Sequence, residues 1–331
     1  MGTRTLCTVI AVVLMLSTPL KVVAGPKFSH WSEPVNLGCV VNSSAEDRGP
    51  ALSKNGLSLY FSSTRPGGFG TSDLWVSQRA SEDDPWGPPV NLGAVINTSS
   101  AETGPFLSRD GHYLFFQSNR PGGFGLQDIW VSYREDVHDD FAWQAPVNLG
   151  PGVNSGQFEG GASYFENRKG GVPQLYFNRG PSGAAGTDIY VSELQADGTF
   201  GPAVLVPELS SPGIDNRPSV RRDGLELFLF SNRTGTLGQA DLWVSTRESV
   251  FDPWGTPTNL GLPVNTAEFS EVEPHISADG LTLLFVSSGR PDGCGESGID
   301  LYMTTRTKLK GHRDRHDDRD DHDHDDTDDD D

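Results

Sequence analysis

The chain has 331 residues and a formal net charge of −20. This acidity argues against a nucleic-acid partner, because binding to phosphates needs a basic surface, and it suits an anionic membrane surface poorly. The 39 glycines and 23 prolines are typical of a chain with many tight turns between short strands.

Residues 1–24 have the features of a secretory signal peptide, which takes no part in the fold. Arg4 supplies a positive start, the stretch 6–20 is mostly apolar, and Val22-Val23-Ala24 resembles a cleavage site. An uncleaved N-terminal anchor is the alternative. No later stretch is long and apolar enough to span a membrane. We therefore expect an exported protein, periplasmic or extracellular, without a membrane span in the mature chain.

The chain between residues 25 and 308 repeats one pattern. Its copies begin at Trp31, Trp86, Trp143, Phe200 and Trp254. Each copy contains four candidate strands, which in the second copy lie at 105–108, 113–117, 128–133 and 146–149. Five copies of four short antiparallel strands predict an all-β fold, a five-bladed β-propeller. A two-sheet sandwich would not explain a period that covers four strands, and an open solenoid would need capping repeats.

The two ends of the repeat predict how the ring closes. The segment 34–38, PVNLG, has no blade before it, whereas the fifth copy ends without such a strand. We therefore expect the N-terminal strand to become the outer strand of the last blade, which removes the free sheet edge. This closure would bring Cys39 and Cys294 to the same face, where an exported protein could join them in a disulfide. Two unpaired cysteines in adjacent loops are the alternative.

Residues 309–331 form a low-complexity segment rich in aspartate and histidine, which we expect to be disordered because it cannot bury a core. Tracts of this composition can bind divalent metals weakly. The histidines concerned are His312, His316, His322 and His324. A solvated tail without a metal role is the simpler interpretation.

The repeat motifs resemble a known family. The first two copies contain GPALSKNG followed by SSTRPGGFGTSDLWVS, and GPFLSRDG followed by QSNRPGGFGLQDIWVS. This order of motifs resembles the TolB-type, WD-repeat-like β-propeller repeat over residues 31–307. The third copy departs most, with FENRKGGVPQ and FNRGPSGAAG where tight turns are expected. Proteins with this repeat are mostly non-catalytic envelope or exported proteins with varied partners, and the resemblance implies the same for this chain.

Three polar positions recur in every copy. An acid lies three residues before the anchor of the inner strand: Asp47, Glu102, Glu159, Asp215 and Glu271. An arginine ends the next strand: Arg65, Arg120, Arg179, Arg233 and Arg290. An aspartate opens the strand after that: Asp73, Asp128, Asp188, Asp241 and Asp300. Antiparallel pairing should bring all three positions to one face, near one mouth of the central channel.

Two interpretations of this polar set remain open. In the first it is a structural fastener, in which arginine bridges the two acids or the acids accept backbone N–H groups of the glycine turn. In the second the ring of carboxylates binds a polar ligand such as a glycan, or Ca²⁺ or another divalent cation, because hard cations favour oxygen ligands. No motif requires a cofactor.

An enzyme must also be considered, since some five-bladed propellers are glycoside hydrolases with central carboxylates. Hydrolysis needs two acids in different environments, so a catalytic site must break the repeat symmetry. Breaks occur at Glu46 and at Glu273 with His275, too few to assign roles. We therefore expect a monomeric binding or scaffold module for a protein or glycan partner. A glycoside hydrolase-like propeller and a metal-binding protein are the alternatives.

Overall fold

The computed structural model describes residues 28–167, 170–181, 186–295 and 298–309. The predicted signal peptide lies outside these residues, as do the four histidines of the acidic tail, His312, His316, His322 and His324. The compact unit His30–Thr307 contains all of the strands. None of the described segments forms a helix long and apolar enough to cross a membrane.

The strands form five four-stranded antiparallel sheets, the blades. The chain starts with β1 (Val35–Asn36). Blade 1 contains β2 (Asp47–Leu52), β3 (Ser58–Ser63), β4 (Asp73–Gln78) and β5 (Val90–Asn91). Blade 2 contains β6 (Glu102–Leu107), β7 (Tyr113–Ser118), β8 (Asp128–Tyr133) and β9 (Val147–Asn148). Blade 3 contains β10 (Phe158–Phe165), β11 (Gln174–Gly180), β12 (Asp188–Glu193) and β13 (Val204–Leu205). Blade 4 contains β14 (Asp215–Val220), β15 (Glu226–Ser231), β16 (Asp241–Thr246) and β17 (Thr258–Asn259). Blade 5 contains β18 (Ser270–Ile276), β19 (Thr282–Ser288) and β20 (Ile299–Thr305).

The N-terminal strand completes blade 5. β1 pairs antiparallel with β20, with Val35 opposite Met303, so the order in this blade is β18-β19-β20-β1. Cys39 and Cys294 form a disulfide across a separation of 255 residues. The predicted five-bladed propeller, its closure by the N-terminal strand and the disulfide are therefore confirmed.

Apolar side chains hold neighbouring blades together. The second strand of blade 1 is entirely buried, and Tyr60 packs in one cluster with Phe116 of blade 2 and with Trp143. The ring of Trp143 also lies under the Arg134 guanidinium, 4.4 Å from its centroid. The repeated aromatic residues are thus part of the core, because each blade can bury its apolar face only against the next.

The inner strands begin earlier than the sequence pattern predicted. β6 starts at Glu102 rather than residue 105, and its pairing with β7 shifts register between Thr103 and Phe106. This β-bulge contains Gly104 and Pro105, which look like a turn in the sequence but fit a bulge, where one residue is left out of the ladder. Every inner strand has the same shift.

The propeller has two ends, which we name by their connections. The hairpin face carries the tight turns from the first to the second strand of each blade, such as the one at residues 53–58. The turn face carries the glycine turns from the second to the third strand, such as the one at residues 64–72, and also the first residue of each inner strand. The repeated acids therefore start at the turn face.

Candidate functional site

The first repeated acid of each blade is buried and bound by the repeated arginine. Asp47 is fully buried and accepts a hydrogen bond from Arg65 Nη2 at 2.6 Å, while Ser43 donates from its backbone N at 2.6 Å and its Oγ at 2.9 Å. The same pairing joins Glu102 to Arg120 at 3.1 Å, Glu159 to Arg179 at 2.9 Å, Glu271 to Arg290 at 2.9 Å, and Asp215 to Arg233. Each acid therefore ties the start of its inner strand to the next strand and to the loop before it.

The second repeated acid organises the glycine turn. Asp73 accepts hydrogen bonds from the backbone N of Phe69 and Gly70, at 2.5 and 2.9 Å, and from Asn91 Nδ2 at 2.8 Å. Equivalent bonds reach Asp128, Asp241 and Asp300. A side chain at Gly68 would lie 2.4 Å from Asp73 Oδ2, so the second glycine of the Arg-Pro-Gly-Gly motif leaves room for this carboxylate.

Asp188 and Glu271 are two repeated acids whose pKa values are raised. Burial raises the pKa of Asp188, and the nearby Asp215 carboxylate raises it further. Burial also raises the pKa of Glu271, against hydrogen bonds from Thr266 and the charge of Arg290, which lower it. The turn opposite Asp188 includes residues 182–185, which lie outside the described part of the chain.

The two acids thus share the structural role predicted for the polar set. Arginine binds the first acid, and the glycine turn binds the second. None of the five first acids has exposed surface. Within the described ranges, no group of three or more His, Cys, Asp or Glu side chains is arranged to hold a metal ion. A ligand role for the acid ring stays a prediction.

The central channel breaks the fivefold symmetry at one position of the inner strand. In blades 1 to 3 the bulge residue is Gly49, Gly104 or Gly161, each with φ near +60°. In blades 4 and 5 the same position holds Arg217, with φ of 52°, and Glu273, with φ of 56°. A side chain in this left-handed region costs about 1–2 kcal/mol per residue. Residues held in such strained conformations cluster at active sites and ligand-binding sites.

Arg217 and Glu273 meet in the channel. Arg217 Nη2 lies 3.6 Å from Glu273 Oε1, and Glu273 Oε2 accepts a hydrogen bond from the Gly49 backbone N at 2.6 Å. A side chain at Gly104 would lie 2.1 Å from Arg217 Nη1. The glycines of the first blades therefore make space for the two charged side chains of the last ones.

His275 joins blade 5 to blade 1 beside this ion pair. Its Nε2 accepts a hydrogen bond from the Leu52 backbone N at 3.1 Å, which assigns the proton to Nδ1. Burial lowers the pKa of His275 to about 4, so the ring is neutral at pH 7. At the equivalent positions of blades 3 and 4, the Oγ atoms of Ser163 and Ser219 accept hydrogen bonds from backbone N–H groups of blades 4 and 5.

A wider cavity opens above the channel at the hairpin face, with a volume of about 80 Å³. Its wall includes the aromatic rings of Phe106 and Tyr164, the carboxylate of Glu166, and three basic side chains. These are Lys54, Arg109 and Arg222. Burial raises the pKa of Tyr164 to about 12, as do the nearby acids Glu166 and Asp110. We call this space the hairpin-face cavity.

The five acids predicted as ligand residues lie at the opposite end of the inner strands from this cavity. Glu273 and His275 were recognisable in the sequence as breaks in the repeat, whereas Arg217, which aligns with glycine in three other blades, was missed. That alignment was the available signal: a charged residue replaces glycine directly before the anchor proline, as in Arg217-Pro218 and Glu273-Pro274.

Known structures resemble this chain at low sequence identity. It is similar to an alpha-L-arabinofuranosidase from Lactobacillus brevis, with 13% identity and a TM-score of 0.57 over 82% of this chain and 93% of that one. An alpha-L-arabinofuranosidase from Podospora anserina, solved with cellotriose, is 15% identical, with a TM-score of 0.54 over 86% of this chain and 98% of that one. TolB from Acinetobacter baumannii is 13% identical, with a TM-score of 0.45 over 81% of this chain and 56% of that one. The sequence matches no protein-family model and no curated protein.

These similarities support the propeller fold. At such identities they carry no information about individual site residues. The TolB match is too weak to support an argument, so the TolB-type assignment still rests on the repeat motifs alone.

Proposed function

We propose that this chain is a glycoside hydrolase-like propeller that binds a glycan in the hairpin-face cavity above its central channel. The observation that carries the proposal is the pair Arg217 and Glu273, which occupy strained positions that the other blades give to glycine. A contact that only stabilised the propeller would recur in every blade, as the pair of buried acid and arginine does. Two charged side chains confined to one sector of the channel point instead to a ligand.

The similar solved structures support a carbohydrate ligand. They are mostly propellers described as arabinofuranosidases, an arabinanase or a glycoside hydrolase. This favours a hydrolase-like protein over a scaffold without activity. The cavity adds aromatic surfaces from Phe106 and Tyr164, and a site that combines apolar walls with a few polar groups is typical of small-ligand recognition.

Hydrolysis of a glycosidic bond uses two carboxyl groups, one as acid and the other as base or nucleophile. Glu273 would supply one from the channel. Glu166 would supply the second, because it is the carboxylate on the wall of the hairpin-face cavity. Arg217 would position Glu273, since its guanidinium lies 3.6 Å from that carboxylate.

A glycan-binding protein without activity is the second candidate. The five repeated carboxylates are buried in ion pairs, so Glu273 is the one acid that lines the described part of the channel. A channel with a single carboxylate favours binding without hydrolysis, because hydrolysis uses two. The TolB-type repeat motifs agree with this candidate. The proposed partner in both cases is a glycan.

Reducing-sugar release and calorimetric binding together separate the two candidates. Arabinan, arabinoxylan and cellotriose would be tested with the wild-type chain, Glu273→Gln, Glu166→Gln and the control Glu46→Gln. The carboxylate of Glu46 lines neither the central channel nor the hairpin-face cavity and pairs with Arg48. A hydrolase should lose at least 100-fold in rate in the first two variants and keep full rate in the control.

Binding without sugar release would support the second candidate. Neither binding nor release with any glycan would overturn both. Equal activity of Glu273→Gln and the wild type would remove Glu273 from the mechanism.

We further propose that the chain is exported and monomeric, with cleavage after residue 24. A disulfide between Cys39 and Cys294 agrees with an oxidising compartment. N-terminal sequencing of the protein secreted by its host and light scattering of the purified chain would test these two statements. Retention of residues 1–24 in the secreted protein would contradict the proposed cleavage, and a dimer in solution would contradict the proposed monomer.

A further inference from the structure

The hairpin face carries positive charge on a strongly acidic protein. One position of each hairpin, seven residues after the repeated acid, lines the cavity, and in blades 1 and 2 it holds Lys54 and Arg109. Blade 4 has Arg222 at this position, blade 3 has Glu166 and blade 5 has Ala278. Three basic residues and one acid at five positions give this wall a positive balance on a protein whose formal net charge is −20.

The aspartates of these hairpins form no ion pair with Lys54 or Arg222 in the described part of the chain and are occupied elsewhere. Asp110 Oδ1 accepts hydrogen bonds from Ser108 Oγ at 2.6 Å and from the His112 backbone N at 3.2 Å. Asp279 accepts one from Ser277 Oγ, also at 2.6 Å. Asp223 pairs with Arg221. The aspartates therefore complete their own turns, as Asx turns do.

Lys54 and Arg222 are exposed and have no ion-pair partner within the described ranges, although both line the cavity. Among the described residues, Glu166 is the one acid that lines this cavity. A cavity lined by one sign of charge concentrates ligands of the other sign. Phe106 and Tyr164 provide ring faces beside these charges.

From this combination we infer that the ligand of the hairpin-face cavity is an anionic glycan, with carboxylate or sulfate groups that contact Lys54 and Arg222 while a sugar ring packs on Phe106 or Tyr164. This inference rests on the proposed function and names the substrate class. A guanidinium can bind a carboxylate through two parallel hydrogen bonds, so Arg222 would also orient it.

Matched oligosaccharides test the inference by titration calorimetry with the full chain. An oligogalacturonide, its methyl ester and a sulfated galactan of the same length differ in charge but share a sugar backbone type. We expect the oligogalacturonide or the sulfated galactan to bind at least 10-fold more tightly than the ester. The difference should shrink as salt rises from about 50 to 500 mM, because salt screens exposed charges.

Variants assign the binding to this cavity. Lys54→Gln with Arg222→Gln should weaken binding of the anionic glycan at least 10-fold, and the charge-preserving pair Lys54→Arg with Arg222→Lys should retain most of it. Ala278→Lys adds a cation at the equivalent position of blade 5 and should tighten binding. Circular dichroism and the unfolding midpoint would confirm that each variant folds.

Equal affinity for the ester and the charged oligosaccharides would overturn the anionic class and leave the proposed glycan function standing. Failure of every glycan, charged or neutral, would overturn both. Tight binding that the glutamine pair leaves unchanged would place the ligand elsewhere and overturn the inference. Polyglutamate that binds as tightly as the oligogalacturonide would show that the surface takes acidic chains in general, which also contradicts it.

Discussion

At the scale of single residues, the repeat makes exceptions visible. Glycine at the inner-strand bulge adopts φ near +60° without strain, and Arg217 and Glu273 adopt the same backbone at a cost. Their neighbour His275 stands where blades 3 and 4 have serine and reaches across to blade 1. The proposed site therefore lies where blades 4 and 5 depart from a framework that repeats its other polar contacts in every blade.

The neutral state of His275 makes the stability of the protein depend on pH. The folded pKa of about 4 lies below the ordinary value of 6.5, so the unfolded chain binds the proton more tightly. Stability from this residue is complete above about pH 6.5 and falls as the pH drops towards 4. Between pH 7.5 and 5.0 we expect it to account for about 2 kcal/mol of lost stability.

Urea unfolding of the wild type and His275→Gln at both pH values measures this contribution. The variant keeps an acceptor for the Leu52 N–H but does not titrate, so its stability should change less with pH. Ser219→Ala is the control, because it removes the corresponding bond to Ile276 without a titrating group. An identical pH dependence in the wild type and His275→Gln would refute the prediction.

At the scale of strands and turns, the blades are joined through backbone as well as side chains. The N–H of Glu159 donates to the Gln127 carbonyl at 2.8 Å, and that of Leu126 donates to the Gln157 carbonyl at 3.0 Å. The glycine turn of blade 2 therefore pairs with the chain that enters blade 3. Such close contact leaves no room for a side chain at the last glycine of the turn.

Replacing Gly125 with alanine should destabilise the protein. The added Cβ would lie 2.3 Å from the carbonyl oxygens of Ser155 and Gln157, so the two blades would have to separate. Overpacking of this kind costs about 1–3 kcal/mol. Gly156→Ala is the matched control, because nothing lies within 4 Å of the Cβ it would add. Equal unfolding midpoints in urea for the two variants would contradict the prediction.

Much of the element arrangement could be predicted from the sequence, because the period, the Asp-Gly hairpins and the PVNLG segments are local patterns. The orphan segment at 34–38 was enough to predict the pairing of β1 with β20. The bulge was not predicted, since the sequence pattern starts the inner strand only at residue 105. Without the bulge, Arg217 is not seen to line the channel. Burial of the repeated acids also depends on Arg65 and its equivalents folding over them, which spacing alone does not show.

At the scale of the whole molecule, one covalent bond secures the ring. Cys39 follows β1 and Cys294 precedes β20, so the disulfide lies beside the strand pair that closes blade 5. Removing it in Cys39→Ser with Cys294→Ser should lower the free energy of unfolding by about 2–4 kcal/mol, because the unfolded chain gains the freedom of a long open loop.

The measurement is urea unfolding of the double variant and the wild type, with a thiol titration of the denatured, unreduced wild type, which should find no free thiol at Cys39 or Cys294. A wild-type chain whose unfolding midpoint did not respond to a reducing agent would contradict a stabilising role. A single variant, Cys39→Ser, would control for the loss of one side chain.

The pairing of β1 with β20 also bears on the order in which the protein is made. Val35 belongs to the first part of the folded chain that leaves the ribosome, and its partner Met303 to the last. Until that final segment arrives, blade 5 lacks its third strand and β1 has no sheet to join. A chain interrupted during synthesis or translocation would present unpaired strand edges, which promote aggregation. The architecture therefore requires the complete polypeptide before these strand edges are paired.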